Sequence, residues 1–398
     1  MHYAPVTERL ASLGSAKWAV HYRARELERQ GREVILLTIG EPDVNAPDML
    51  IDTAHGAMRA GRTGYSDGRG EHALLDALAE RYGARLGRRM EHANFIAFPG
   101  TQTALFAVMM AMAEEGAEVL VGDPMYATYE GVIRACGATP VSVPLRPEQG
   151  FRMQPADLAR AITPRTRVIF VNTPHNPTGA VLRRAEVEGI LDLARAHDLW
   201  VLSDEVYEDL VFGAEPFVSP LALDDARVVV TNSLSKSHAA AGFRTGWCVG
   251  SVEFCARLLP LAETMLFGNQ PFIADMTAAA VRAPDLVAAG LRARLKRRLA
   301  LVTARLEGVA GLRVHQAEAG MFALIDIAIA GRGNGDAFAH ALVEETGVAV
   351  MPGSAFGEVL TDWIRVSLAV DDAILAKACD LIAAFAEGGD AAQGVAAR

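Results

Sequence analysis

Cysteine is scarce: four residues in 398, at positions 136, 248, 255 and 379, with no C-x-x-C pair and no metal-ligand spacing. They read as reduced core thiols of a cytoplasmic protein, which excludes a disulfide scaffold, and no metal is expected. No run approaches the roughly eighteen apolar residues that a membrane-spanning helix needs. The first ten residues carry Glu8 and Arg9 and lack an apolar signal core. Positive charge is also short: 38 Lys and Arg against 48 Asp and Glu give a net charge of -10. With a pI near 5.5, that balance argues against a dedicated nucleic-acid binder. Neither G-x-G-x-x-G nor a P-loop lysine motif occurs, so nicotinamide and nucleoside triphosphate cofactors are disfavoured. H-E-x-x-H is missing as well.

What remains is the profile of a soluble globular enzyme, 51% hydrophobic and 22% charged. Short apolar runs at 95–98, 119–122, 140–143, 168–172, 200–204, 228–231 and 247–250 read as seven strands. Helical patterns, such as 101–113 and 184–197, fall between them. This alternation predicts an α/β fold: a large domain with a mainly parallel, doubly wound seven-stranded sheet. Beyond residue 284 a basic helix, L-R-A-R-L-K-R-R-L-A-L-V-T-A-R-L, reads as a linking helix with a solvated charged face. Strands at 322–327, 348–351 and 364–368 then point to a smaller α+β domain. The expected division is an N-terminal segment 1–45 packed with the small domain, a large domain 46–284, a small domain 285–390 and a disordered tail 391–398.

In doubly wound sheets ligands sit beyond the carboxyl ends of the strands. Residues just after these runs therefore carry the search for function. T-N-S-L-S-K-S-H-A-A-A-G-F-R-T-G at 231–246 sets Lys236 among small residues, with Ser233 before it and Arg244 after. Burial favours a neutral lysine amine, which attacks aldehydes; a solvated lysine at a strand end fits the stretch equally well. P-G-T-Q at 99–102 precedes a helix, so Gly100 and its neighbours suit an anion, or a plain glycine turn with an N-cap threonine. Tyr126, in D-P-M-Y, stacks on a planar ring or fills core. N-T-P-H-N-P-T-G at 172–179 is a rigid turn that holds the Asn176 amide, with His175 structural. Asp204 closes the apolar run W-V-L-S-D, where a carboxylate needs a cation or donors, and Tyr207 follows three residues on. Together these pieces describe a ligand with a phosphate, a flat ring, a basic ring nitrogen and an aldehyde. Pyridoxal 5′-phosphate has all four.

Over nearly its whole length the chain resembles the class I/II aminotransferases, pyridoxal-phosphate enzymes of fold type I. The motifs are Y-S-D-G-R-G at 65–70, P-G-T-Q at 99–102, D-P-M-Y at 123–126, N-T-P-H-N-P-T-G at 172–179, S-D-E-V-Y at 203–207, S-L-S-K-S at 233–237, G-F-R-T-G-W at 242–247 and R-V-S at 365–367. The resemblance implies a Schiff base and proton transfer at Lys236, and Asp204 on the ring nitrogen. It implies Asn176 and Tyr207 on the ring 3′-oxygen and Tyr126 stacked on the ring. Gly100, Thr101, Gln102, Ser233 and Arg244 would hold the phosphate, with Tyr65 from the partner subunit of a homodimer. Arg365 would clamp the substrate carboxylate, aided by Gly40 and Asn176, and the Asn176-Pro177 bond would be cis. W-A-V-H-Y-R-A at 18–24, M-Y-A-T-Y-E at 125–130, N-S-L-S-K-S-H-A at 232–239 and M-L-F-G at 265–268 are similar to a narrower group, the arginine–pyruvate transaminases. The expected reaction is ping-pong transfer of an amino group from an L-amino acid to a 2-oxoacid such as pyruvate. Aspartate, alanine or aromatic donors, or C–S bond cleavage on the same scaffold, stand as alternatives.

Overall fold

Residues of one strand feed two different cores. Along β2, Phe95 and Ala97 join one apolar cluster while Ile96 and Phe98 join another, as the two-residue period of a strand dictates. The computed structural model describes residues 1–11, 13 and 16–388. After a short β1 (Ile35–Leu36) come β2 (Phe95–Phe98), β3 (Glu118–Asp123), β4 (Thr139–Pro144) and β5 (Thr166–Asn172). They are followed by β6 (Trp200–Asp204), β7 (Val228–Ser233) and β8 (Gly246–Val249). The last seven form one sheet in the order β2-β8-β7-β6-β5-β3-β4. Every pairing is parallel except those of β8, which runs against both β2 and β7. Strands β2, β3, β7 and β8 are buried at every position, because helices cover both faces. This is the expected sheet, strand for strand.

The C-terminal part adds β9 (Arg313–Val314), β10 (Phe322–Asp326), β11 (Val348–Ala349), β12 (Met351–Pro352) and β13 (Trp363–Ser367). Four of them make an antiparallel sheet, β12-β13-β10-β9. The expected strand at 348–351 is in fact two: β11 pairs in parallel with β1, and β12 pairs with β13. Residues 348–351 are all buried, so no polar alternation marks where the partner changes. β1 and β9, two residues each, are too short to leave a periodic signal. A third apolar cluster unites Val20, Leu27 and Leu37 near the N-terminus with Leu291, Phe338 and Phe385. The tail 391–398, and the last two residues of the expected small domain, lie outside the described residues. All four cysteines are free; three are buried, while Cys136 is partly exposed, against the expectation of four core thiols.

The basic helix, Asp285–Leu306, also departs from expectation at one point. Arg298 is buried, not solvated. Its Nη2 donates to Asp43 at 2.7 Å, its Nε to Asp372 at 2.7 Å and its Nη1 to the Leu368 carbonyl at 3.0 Å. One guanidinium thus pins the loop after β1 and the start of the helix Asp372–Ala386 to the linking helix. Without it Asp372 keeps Arg297 at 2.7 Å and Asp43 keeps only the looser Arg294 at 3.7 Å, so the loss is chiefly that of three hydrogen bonds from a buried guanidinium. Arg298→Ala should therefore destabilise the protein by about 2 kcal/mol, seen as a lower denaturation midpoint; Arg297→Ala, at a more exposed arginine, should cost under about 1 kcal/mol.

Candidate active site

Four parallel strands end side by side: β3 at Asp123, β5 at Asn172, β6 at Asp204 and β7 at Ser233. Asn172 lies opposite Asp204, and Asp204 opposite Thr231. Strand order also reverses between β5 and β3, which opens a crevice at the carboxyl ends. A cavity of about 220 Å³ lies there. Gly40, Thr101, Gln102, Tyr126, Asn176, Asp204, Tyr207, Ser233, Lys236, Arg244 and Arg365 all line it. These are the residues the sequence singled out, from positions as far apart as 40 and 365.

Lys236 reaches this cavity half-buried, and its Nζ donates to the Gly40 carbonyl at 2.6 Å. Desolvation pulls its pKa down to about 8; Glu41 opposes the shift, while Arg365 and Arg244 add to it. The freely solvated lysine is thereby excluded. Asp204 is buried, and one oxygen accepts from the Tyr129 hydroxyl at 2.8 Å, the other from the Val206 N–H at 3.2 Å. Burial pushes its pKa up to about 6, with those donors and Lys236 pulling the other way. Tyr129 did not stand out in the sequence; its signal was the repeated tyrosine of M-Y-A-T-Y-E.

The anion-binding features converge on the start of the helix Thr101–Met112. Gly100 caps it with φ of 90°, and a side chain there would run into the Arg244 guanidinium. So Gly100 does not line the cavity but lets Arg244 approach. The Thr101 hydroxyl is buried without any partner. Gln102 accepts from Thr128 Oγ1 at 2.9 Å, which leaves its amide N–H₂ free for the cavity. Unpaired donors, a helix N-terminus and a guanidinium together suit a phosphate.

The turn after β5 is held from inside. Asn172 donates to the carbonyls of Asp204 and Pro174, at 3.0 and 3.2 Å, and accepts the Asn176 N–H at 2.8 Å. Asn176 can then donate to the Tyr207 hydroxyl at 3.4 Å and accept from Arg365 Nη1 at 3.0 Å. Asn172, the organiser of this turn, also went unnoticed in the sequence, where only its neighbours carried a signal. The Asn176-Pro177 bond is cis, as expected. His175 bonds Thr178 at 2.8 Å, and burial lowers its pKa to about 4, so it is structural. Arg365 is buried and donates Nη2 to the Thr38 carbonyl at 2.7 Å. Trp18, Ile39 and Phe322 are among the further wall residues, none of them expected.

Tyr65 is the residue the chain does not bring in. It is 94% exposed and packs edge-on against Phe267, with ring centroids 6.1 Å apart. A G-x-S-x-G string does occur at 64–68, but Ser66 sits in this loop, with its hydroxyl on the Asp67 carbonyl. It is no nucleophile elbow, which needs a strand-to-helix turn. Among the described residues no group of three or more His, Cys, Asp or Glu is placed to hold a metal. Nor is any described helix long and apolar enough to cross a membrane.

An unpaired hydroxyl beside a guanidinium, a buried carboxylate, a tyrosine and a lysine amine fit pyridoxal 5′-phosphate group for group. The fold and cavity thus define a pyridoxal-phosphate enzyme. More narrowly, the chain belongs to the family of class I and II aminotransferases, whose model matches residues 32–382. It is 43% identical over 385 residues to the arginine–pyruvate transaminase AruH of Pseudomonas aeruginosa, covering 96% of this chain and 98% of that one. Against the aspartate/prephenate aminotransferase of Cereibacter sphaeroides it is 35% identical, covering 93% and 95%. A solved aspartate aminotransferase double mutant from Thermus thermophilus superposes with a TM-score of 0.90 at 31% identity, covering 96% and 99%. The protein is a pyridoxal-phosphate-dependent aminotransferase.

Beside Asp204 sits a second acid of opposite character. Glu205 is wholly buried; one oxygen accepts from Ser219 at 2.7 Å and Ser203 at 3.1 Å, and the other has no partner. Burial, then the neighbouring Glu208 charge, pushes its pKa up to about 8. Glu208 itself stays ionised, paired with Arg81 and Arg85 at 2.8 and 2.6 Å. A carboxyl whose pKa rises on folding stabilises fully below its ordinary value near 4.5 and loses that stabilisation as pH climbs towards 8. Glu205→Gln should remove this dependence. Relative to wild type it should gain about 2 kcal/mol between pH 5 and pH 8, read from denaturant midpoints; a parallel pH trend in both proteins would contradict it.

Proposed function

We propose that the enzyme moves the α-amino group of an L-amino acid, arginine foremost, to a 2-oxoacid such as pyruvate by a ping-pong cycle. The observation that carries this reading is one cavity holding both an amine poised to be neutral, Lys236, and a guanidinium with no anion on it and its Nε without a partner, Arg365. When bound, the cofactor supplies the aldehyde and the electron-accepting ring. The chain's residues do the rest. Lys236 Nζ, neutral above about pH 8, removes the proton from the substrate α-carbon. Asp204, held by Tyr129, would meet the ring nitrogen as an anion. Tyr207 and Asn176 would bond the ring oxygen, and Tyr126 would stack on the ring. Thr101, Gln102, Ser233 and Arg244 would hold the phosphate, with Gly100 making room for Arg244. Arg365 would take the substrate carboxylate as a two-pronged donor, beside Gly40 and Asn176.

Arginine as donor rests on the 43% identity to a relative of that activity. Among the described residues, the cavity's three cations, Lys236, Arg244 and Arg365, and its one carboxylate, Asp204, are all assigned, so a second charge on the substrate, of either sign, is met outside this lining. The exposed Tyr65 and Phe267, 94% and 68% accessible, support a homodimer in which Tyr65 completes the partner's phosphate site, and the same reading puts the enzyme in the cytoplasm. On the same reading the chain divides into an N-terminal segment to residue 45, a large domain 46–284 and a small domain from 285.

Two experiments test this. L-arginine should convert the holoenzyme to its pyridoxamine spectrum, and pyruvate should restore the starting one; ammonia released without an acceptor would instead mark a lyase. Lys236→Ala should lower kcat by at least about 10²- to 10⁴-fold without unfolding the protein. Near wild-type turnover in that variant would end the assignment.

A further inference from the structure

Arg365 is a buried cation with no anion. No carboxylate among the described residues bonds it, and its Nε has no partner at all. Burial lowers its pKa to about 10, so it is still charged at neutral pH. A desolvated charge without a counter-ion normally costs several kcal/mol. Something else must hold it.

Two neutral oxygens, Asn176 Oδ1 and the Thr38 carbonyl, each accept one N–H. Two aromatic rings do the remainder: the guanidinium carbon lies 3.8 Å from the Phe322 ring centroid and 4.4 Å from that of Phe356. The negative face of a ring attracts a cation yet consumes none of its N–H groups. A resident Asp or Glu would hold the charge more tightly, but it would fill the fork that an incoming carboxylate requires.

Both rings are themselves fixed in place. Phe322 lies on β10, which pairs with the Arg365 strand, β13. Its ring packs so closely on Gly40 that a methyl group there would overlap it, and the Gly40 carbonyl is the acceptor for Lys236. Phe356 offers its carbonyl to the Met125 N–H at 2.7 Å. The Asp123 carboxylate accepts from the next N–H groups, Glu358 at 3.3 Å and Val359 at 3.4 Å. The end of β3, which also carries Tyr126, therefore anchors the segment bearing Phe356.

We propose that Phe322 and Phe356 are positioning residues that replace a counter-ion at Arg365, holding its charge while leaving its N–H edge open to the substrate carboxylate. This rests on the reading that Arg365 binds that carboxylate. Phe322→Leu and Phe356→Leu keep apolar bulk and remove the ring, and having both covers the case in which one fails to fold. The holoenzyme in its pyridoxamine form is titrated with pyruvate and with 2-oxoglutarate in single turnovers. Each variant should raise the half-saturation constant for both acids by about 3- to 30-fold, with the maximal rate falling less than the constant rises. Phe356→Tyr, which retains a ring, should stay within about threefold of wild type. In an Arg365→Gln background the Leu substitutions should lose most of their effect, because no cation remains to hold. Constants within twofold of wild type in the Leu variants, or an undiminished effect beside Arg365→Gln, would overturn the proposal. If Arg365→Gln alone leaves both constants unchanged, the carboxylate-binding reading falls first, and this inference with it.

Discussion

Moving the Lys236 ammonium out of water is unfavourable, and that loss of hydration is the constraint on which the site depends. Desolvation is the largest influence on this group, and two arginines at the cavity reinforce it. Only Glu41 and Asp204 pull the other way. The same burial acts oppositely on acids, raising Asp204 towards neutrality until Tyr129 and the Val206 N–H partly restore its charge. One physical cause thus prepares a nucleophilic amine and leaves a carboxylate that needs specific donors. On the proposed reading the cofactor would lie between the two.

The fold produces this arrangement through strand ends. Parallel strands bring Asp123, Asn172, Asp204 and Ser233 to one edge of the sheet, with side chains set by register rather than by loop length. From there hydrogen bonds run outward: Asn172 to Asn176, Asn176 to Arg365, Arg365 to Thr38. Thr38 lies just beyond β1, which pairs with β11. Residues from the N-terminal segment, the large sheet and the C-terminal sheet therefore meet around a single guanidinium. Movement of any one part would be felt at Arg365.

Much of this was legible in the sequence. The seven strands of the large sheet read as short apolar runs, and Thr101, Tyr126, Asn176, Asp204 and Lys236 end or follow five of them, so position and chemistry pointed the same way there. What stayed hidden has a physical reason. Tyr129 acts through Asp204, far along the chain, while Asn172 and Phe356 act on Asn176 and Arg365 through contacts that no motif or periodicity marks. Arg298 sits in a run of arginines where periodicity cannot tell the buried one from the rest. The split of 348–351 between two sheets was invisible because all its residues are buried and no polar position marks the change of partner. Tyr65 is the reverse case: its motif is clear, yet the chain leaves it exposed and away from the cavity.

The most direct test of the central claim is the pH dependence of cofactor capture by the apoenzyme, followed by absorbance after mixing with pyridoxal 5′-phosphate. Only the neutral amine reacts. With Lys236 lowered to about 8, the rate should climb with pH and level off above about 8. A rate that keeps rising towards the ordinary lysine value of 10.5 would show that burial does not prepare this amine.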